Sequence, residues 1–314
     1  MKPVAGALAL LLCGLSDAAW AGCNSPHLAP GYCDQDGDLV ADPPHDKSQW
    51  LDPEVIMVAD VTTYDLLQRV DRSGRFVHYL ENALKRKVRY FVARDNAEMT
   101  DAFKANRIHL VNINSGGVAQ AVRCHGFVPL VQITDAGGKL AGYTMELVVP
   151  AASPIKSVRQ LKGHRITFVD DTSASGYKAP LAILREQFGM LPGRDFRFDF
   201  SGRHDSSLMG VAGGIYEAAA IASGAREDLE HSKLLDAAAL RVIYTSRPFP
   251  LPPWGVSNRL APALSKRLLQ ALLDYRGDDA VQGPGNHFRV ANYKDDWAPV
   301  RAMFGAGEAG TKCQ

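Results

Sequence analysis

Asp170-Asp171-Thr172-Ser173-Ala174-Ser175-Gly176-Tyr177-Lys178-Ala179-Pro180 joins two kinds of periodicity. Before it, Ile166-Thr167-Phe168-Val169 is a short apolar run of the kind that forms a strand. After it, Leu181, Leu184 and Phe188 share one face of a helical pattern. Thr172, Ser173, Ser175 and Gly176 therefore stand where a strand gives way to a helix. The first N–H groups of a helix lack intrahelical partners, and the helix dipole places partial positive charge there. Such a turn can hold an anion without lysine or arginine. It also suits ordinary capping by serine or threonine. The stretch alone leaves both readings open.

Two further turns share the design. Asn114-Ser115-Gly116-Gly117 follows the strand-like Ile108–Ile113 and opens a short helix to Arg123. Arg203-His204-Asp205-Ser206-Ser207 follows Phe196–Phe200 and opens a helix to Ala212. In open parallel sheets ligands bind outside the carboxyl ends of the strands, where such turns gather. His204 can donate a hydrogen bond there or, if protonated, supply charge. Its other reading is a surface histidine beside an Asp205 cap. Thr62, Thr63 and Tyr64, after a first strand at Val55–Val61, would face the same cleft.

Working outward, strands alternate with helices across most of the chain, which predicts an α/β fold with mainly parallel sheets. Helices are expected at Gly74–Lys87, Asn96–Asn106, Ala225–Leu235, Pro262–Tyr275 and Asp295–Phe304. Strands are expected at Arg89–Ala93, Val128–Ile133, Ile215–Ile221 and Leu240–Ser246, with Gly142–Pro150 extended. The Pro-rich Arg247–Trp254 run reads as a rigid linker between two lobes rather than as a polyproline ligand. Lobe 1 is assigned residues 51–148 and 247–314, and lobe 2 residues 149–246.

The 314 residues suffice for two modest domains, and a net charge of +1 points to neither nucleic acid nor an anionic membrane surface. Lys2, an apolar run from Val4 to Leu15 and Ala19-Trp20-Ala21 read as a cleaved signal peptide over 1–21. The expected product is a soluble, exported, periplasmic chain; a lipidated Cys23 is the weaker option. Residues 22–50 read as an irregular extension in which Cys23 and Cys33 pair. Cys124 and Cys313 can pair or stay free. Asp34, Asp36, Asp38 and Asp42 alternate around Gly37 and suit a structural Ca²⁺, because a hard cation needs several oxygens from one tight turn. The other reading is a solvated acidic turn.

With these residues in place, the chain resembles the periplasmic substrate-binding proteins of phosphate, phosphite and phosphonate ABC importers. The resemblance is carried by Ser157–Val169 with the Ser/Thr-Ser-Gly turn and Pro180, by Ser201-Gly202-Arg203-His204-Asp205-Ser206-Ser207, by Gly214–Ala219, and by Tyr244-Thr245-Ser246. It covers roughly residues 54–300 and implies a two-lobe type II binding fold with a hinge. It further implies that Ser173, Ser175, Gly176 and nearby N–H groups hold a phosphoryl or phosphonyl group. Thr172 and His204 match other contact positions, and Tyr64 matches an aromatic wall. Where the family often has a tyrosine after the third-strand turn, this chain has Ser115 and Gly116. Glu217 stands where members holding an aminoalkyl phosphonate often carry an aspartate; its other reading is a strand-edge carboxylate.

The implied function is capture of a small tetrahedral oxyanion by a monomer that closes about its hinge and delivers the ligand to an ABC permease, with no cofactor required. An alternative is an oxyanion sensor, for example of arsenite, acting on a membrane histidine kinase, with Cys124 as the thiol. Regular helix geometry places Cys124 about 12 Å from the Gly116 helix start, which favours a buried structural cysteine instead. Enzyme signatures are absent: there is no G-x-S-x-G, H-E-x-x-H or C-x-x-C in the sequence.

Overall fold

The computed structural model describes residues 23, 25–60, 66–277, 281, 286–302 and 313, with the backbone alone for 66–73. The segment expected to be a signal peptide, and Thr62, Thr63 and Tyr64, lie outside the described residues. The chain first forms β1 (Val55–Ala59), α1 (Leu66–Leu84), β2 (Lys87–Tyr90), α2 (Asn96–Lys104), β3 (Leu110–Asn112), α3 (Val118–His125) and β4 (Phe127–Thr134). It crosses through β5 (Gly142–Tyr143) into β6 (Met145–Pro150), β7 (Arg165–Phe168), a π-helical turn (Ala174–Lys178) and α4 (Ala179–Phe188). There follow β8 (Arg197–Phe200), α5 (His204–Ala212), β9 (Ala219–Ala222), α6 (Ser223–His231) and β10 (Leu240–Thr245). The return runs through β11 (Phe249–Pro250) to β12 (Trp254–Ser257), α7 (Pro262–Asp274), β13 (His287–Val290) and α8 (Tyr293–Asp296).

These strands build two main sheets, ordered β13-β4-β12-β3-β1-β2 and β10-β6-β9-β7-β8. The parallel pairing expected from the alternation is present in the trios β2-β1-β3 and β8-β7-β9. Antiparallel strands are added where the chain enters or leaves each sheet. Both crossings run side by side, and β5 pairs antiparallel with β11, Tyr143 opposite Phe249. That two-stranded ribbon joins the two sheets.

Local chemistry explains the elements that matter for the site. Phe76, Leu80 and Leu84 recur every fourth residue on α1 and are buried against Trp254 and Tyr275. Asp95 caps α2 by accepting from the Glu98 N–H. Gly126 ends α3 in the left-handed conformation, φ 63°. The second sheet takes in β6 from Met145, ahead of the lobe boundary expected after residue 148. There Phe168, Ile166 and Leu184 are fully buried, and the Glu146 carboxylate, also buried, pairs with Arg226 of α6 through two nitrogens. That pair fixes α6 to β6, and α6 forms one wall of the cleft.

Several sequence expectations change, among them the strand expected over Arg89–Ala93, which is Lys87–Tyr90, and the helix expected over Ala225–Leu235, which is Ser223–His231. The helix expected from Gly74 starts eight residues earlier at Leu66. The strand expected over Ile215–Ile221 is confined to Ala219–Ala222, because Gly213-Gly214 extends into a turn in which Ile215 and Tyr216 bond back to the Gly210 carbonyl. The Pro-rich run leads directly into β12, which sits inside the first sheet between β4 and β3. The final helix, expected from Asp295, begins at Tyr293 and ends at Asp296, and helical backbone resumes over 298–302 after a turn at Trp297.

Candidate ligand-binding cleft

Ser173 and Ser175 lie just past β7, nearly fully buried. The Ser173 Oγ accepts from the Gly176 N–H at 3.0 Å, so it caps the turn and retains its own hydrogen for another acceptor. The Ala174 and Ser175 N–H groups donate to no described atom. Gly176 is required by packing: a Cβ there would lie 2.5 Å from the Val169 side chain. The turn is thus pressed onto the end of its own strand, with its donors turned outward.

α5 supplies the second helix start. The His204 Nδ1 accepts from the Ala222 N–H at 3.1 Å, which leaves the proton on Nε2. Burial pushes the imidazole down to about 4, the Asp205 carboxylate opposing this, so His204 is a neutral donor at neutral pH. Arg203 makes two hydrogen bonds to Asp205, one of them from Nε at 3.0 Å. The third start, before α3, places Ser115, whose Oγ donates to the Pro250 carbonyl at 2.9 Å and so ties lobe 1 to the ribbon.

Ser115, Ser173, Ser175 and His204 line one cavity of about 750 Å³. All three turns expected to converge therefore do so, at the carboxyl ends of β3, β7 and β8. Arg203 is the one arginine or lysine among the described lining residues, and Asp205 neutralises it. Asp170 and Asp228 add carboxylates to the wall.

Several expected contacts sit elsewhere. Thr172 does not line the cavity; its hydroxyl donates to Asp170 Oδ1 at 2.5 Å and accepts from Asn114. Gly116 and Gly176 also lie outside the lining, each packed against backbone or side chain. Glu217 is corrected most sharply. It precedes β9, at the amino end of the strands, and accepts from His164 Nδ1 at 2.9 Å and from the Arg165 N–H at 3.0 Å. That backbone donor, with His164, holds its carboxyl below the usual range, and the cavity lies at the other end of the sheet.

Tyr143 was missed. It lies on β5, lines the cavity, and its phenol faces the hydroxyls of Ser115 and Ser175, with burial pushing its pKa up. The sequence signal is a lone tyrosine after glycine in an extended passage, too little to place it in the β5–β11 ribbon.

Both cysteine pairs form disulfides, Cys23–Cys33 and Cys124–Cys313. Cys124 is therefore neither a buried thiol nor a free one, and it is part-exposed. In the acidic loop, Asp34, Asp36 and Asp38 bring carboxylate oxygens within 4.8 Å of one another, while Asp42 lies outside this group and accepts from the Gln35 N–H. The Asp34 oxygens accept from Gly37 and Leu39, and Asp38 accepts from Val40. The loop satisfies much of its carboxylate capacity from its own backbone. The three carboxylates bring at least one oxygen each towards one point, and a Ca²⁺ ion, which takes six to eight, would draw further oxygens from backbone or water.

Residues 61–295 match the family model of the periplasmic substrate-binding protein of phosphonate ABC transporters. Among solved structures, the fold is similar to the binding-protein component of an ABC phosphonate transporter from Pseudomonas aeruginosa, with TM-score 0.70, 21% identity, and 80% of this chain and 86% of that one covered. It is also similar to a binding protein from Prochlorococcus marinus in complex with methylphosphonate, with TM-score 0.69, 18% identity, and coverage of 82% and 99%. An alkanesulfonate-binding protein from Xanthomonas axonopodis pv. citri bound to MOPS follows at TM-score 0.53 and 16% identity, covering 84% of this chain and 96% of that one. The matched family binds and transports its substrate rather than transforming it. On the family match, carried by a two-sheet fold with one cleft of converging helix starts, this chain belongs to the phosphonate ABC transporter periplasmic substrate-binding proteins.

Proposed function

We propose that this chain captures a small tetrahedral oxyanion, a phosphonate foremost with phosphite and phosphate behind it, and hands it to the permease of an ABC importer. The observation that carries this reading is the convergence of three strand-to-helix turns, from both lobes, on one cavity with neutral donors. The Ser173 hydroxyl, the Ala174 and Ser175 N–H groups and His204 Nε2–H are its oxyanion contacts. Hydrogen bonds from neutral donors to an anion are charge-assisted and shorter than neutral ones, and their directions select tetrahedral geometry. The lobes close about the β5–β11 ribbon, with Tyr143 and Ser115 at the hinge side. The protein works as an exported monomer, with residues 1–21 as its signal peptide.

The size of the cavity, about 750 Å³, falls in the range of sites for small organic molecules and leaves room for a substituent on phosphorus. The Asp170 and Asp228 carboxylates add negative charge to the wall, which disfavours a bare polyanion. The sensor alternative loses its main support, because Cys124 is bonded to Cys313 and presents no thiol to arsenic.

A thermal-shift panel of phosphate, phosphite, methylphosphonate, 2-aminoethylphosphonate, arsenate and arsenite tests the reading through mass action on the melting temperature. A phosphonate is expected to give the largest stabilisation. Stabilisation by arsenite alone, or by none of the six, overturns it.

A further inference from the structure

Gly116 stands at the start of α3 but faces the other lobe rather than the cavity. A Cβ built on it would lie 2.2 Å from the Thr172 carbonyl oxygen, 2.5 Å from the Ala174 nitrogen and 3.0 Å from the Ala174 Cα. All three atoms belong to lobe 2; its own lobe contributes none of them. Its φ is outside the left-handed region, so alanine suits the local backbone and is excluded only by the partner lobe. Two hydrogen bonds flank the contact. Lys178 Nζ, from the π-helical turn, donates to the Gly116 carbonyl at 2.7 Å. Asn114 Nδ2 donates to Thr172 Oγ1 at 3.3 Å.

We propose that Gly116, Lys178 and the Asn114–Thr172 pair form an interlobe clasp, a set of positioning residues that stabilises the closed cleft, of which Asn114 alone also lines the cavity. Thr172 is a clasp residue here, not an oxyanion contact. The clasp acts through population: if the tight-binding form is the closed one, apparent affinity scales with the fraction of molecules closed. Removing the Lys178 donor leaves the Gly116 carbonyl without that partner in the closed form and speeds opening. Placing a methyl at 116 keeps the two backbones from approaching at all. The affinity side of this proposal rests on the cleft being the ligand site; the shape side does not.

The experiment pairs small-angle X-ray scattering with calorimetry and stopped-flow kinetics on the full exported chain, with methylphosphonate as the probe. Gly116→Ala is expected to keep the far-ultraviolet circular dichroism of the parent and to show a larger radius of gyration in whichever state the parent is contracted. Its affinity should fall about a hundredfold through loss of the closed population. Lys178→Met should bind about tenfold more weakly, the loss residing in faster dissociation, as expected for one lost hydrogen bond from a charged donor. Lys178→Arg, which retains a donor, should recover most of it. A Gly116→Ala protein with the parent's radius of gyration and affinity overturns the clasp. If that variant does not fold, equal dissociation rates for the parent, Lys178→Met and Lys178→Arg overturn it instead. Should methylphosphonate fail to bind the parent, the cleft reading falls, while the scattering comparison of Gly116→Ala with the parent still decides the clasp.

Discussion

At the carboxyl ends of β7, β8 and β9 the second lobe presents buried serines, unpaired N–H groups and a neutral imidazole. At the amino ends of β7 and β9, roughly 13 Å away at about 3.3 Å per residue, it presents Glu217 and His164 as an exposed hydrogen-bonded pair. Both ends carry polar groups next to turns, and the sequence offered ligand contacts at each. What separates them is access to water. An exposed carboxylate and imidazole are well solvated and add little by pairing. Neutral donors held inside a cleft keep their hydrogens for an incoming anion, and they avoid burying a fixed charge when the cleft is empty.

Four measurements bear on that contrast. The largest effect is expected where charge is buried: Arg226→Met leaves the Glu146 carboxylate unpaired beneath the cleft wall and should cost about 3–5 kcal/mol in denaturant unfolding. A cost under about 1 kcal/mol would place that pair with the exposed ones. Next, Ser173→Ala with Ser175→Ala should weaken oxyanion binding by roughly tenfold to 150-fold in calorimetry, at about 1.5–3 kcal/mol for the one hydroxyl hydrogen bond to a charged group that Ser173 gives. Unchanged affinity would remove the carboxyl end from the ligand site.

Third is acid. The His204 pKa is about 4 when folded, against about 6.5 when unfolded, so the unfolded chain binds the extra proton between those values. Stability from this group is complete above pH 6.5 and is lost as the pH falls towards 4, by at most about 3 kcal/mol. His204→Gln should flatten that segment of the pH–stability curve, and an unaltered slope would deny the imidazole its buried state. Smallest is Glu217→Gln, expected within about 0.5 kcal/mol of the parent in stability and within about twofold in ligand affinity. A tenfold loss of affinity would erase the distinction between the two ends.

The carboxyl-end site was readable because each part is local: an apolar run, small polar residues, then helical spacing. Ser173, Ser175, His204 and Ser115 all come from such stretches. Glu217 was misplaced because Ile215 and Tyr216 look like strand residues, yet Ile215 is 78% exposed on a turn that begins at Gly213. Starting the strand four residues late moves the glutamate from a strand edge to the turn before it. Tyr143 and the lobe-to-lobe role of Gly116 depend on pairings between distant segments, β5 with β11 and one lobe with the other. Local periodicity carries no information about those. β12 was hidden for the same reason: four residues after a proline run acquire meaning only between β3 and β4.

The Cys124–Cys313 bond spans 189 positions, and every strand of the five-stranded sheet lies between them. During synthesis, all of β6 to β10 emerges before β12, the strand that separates β3 from β4 in the other sheet. The second lobe is thus a guest segment that can assemble while its host still lacks an internal strand. Joining the last cysteine to α3 afterwards encircles the guest covalently. A ring of this length lowers the entropy of the unfolded chain by an amount worth about 5 kcal/mol in the simplest chain model. That bond can close only after the last residues have emerged, whereas Cys23–Cys33 needs none of the strands that follow it.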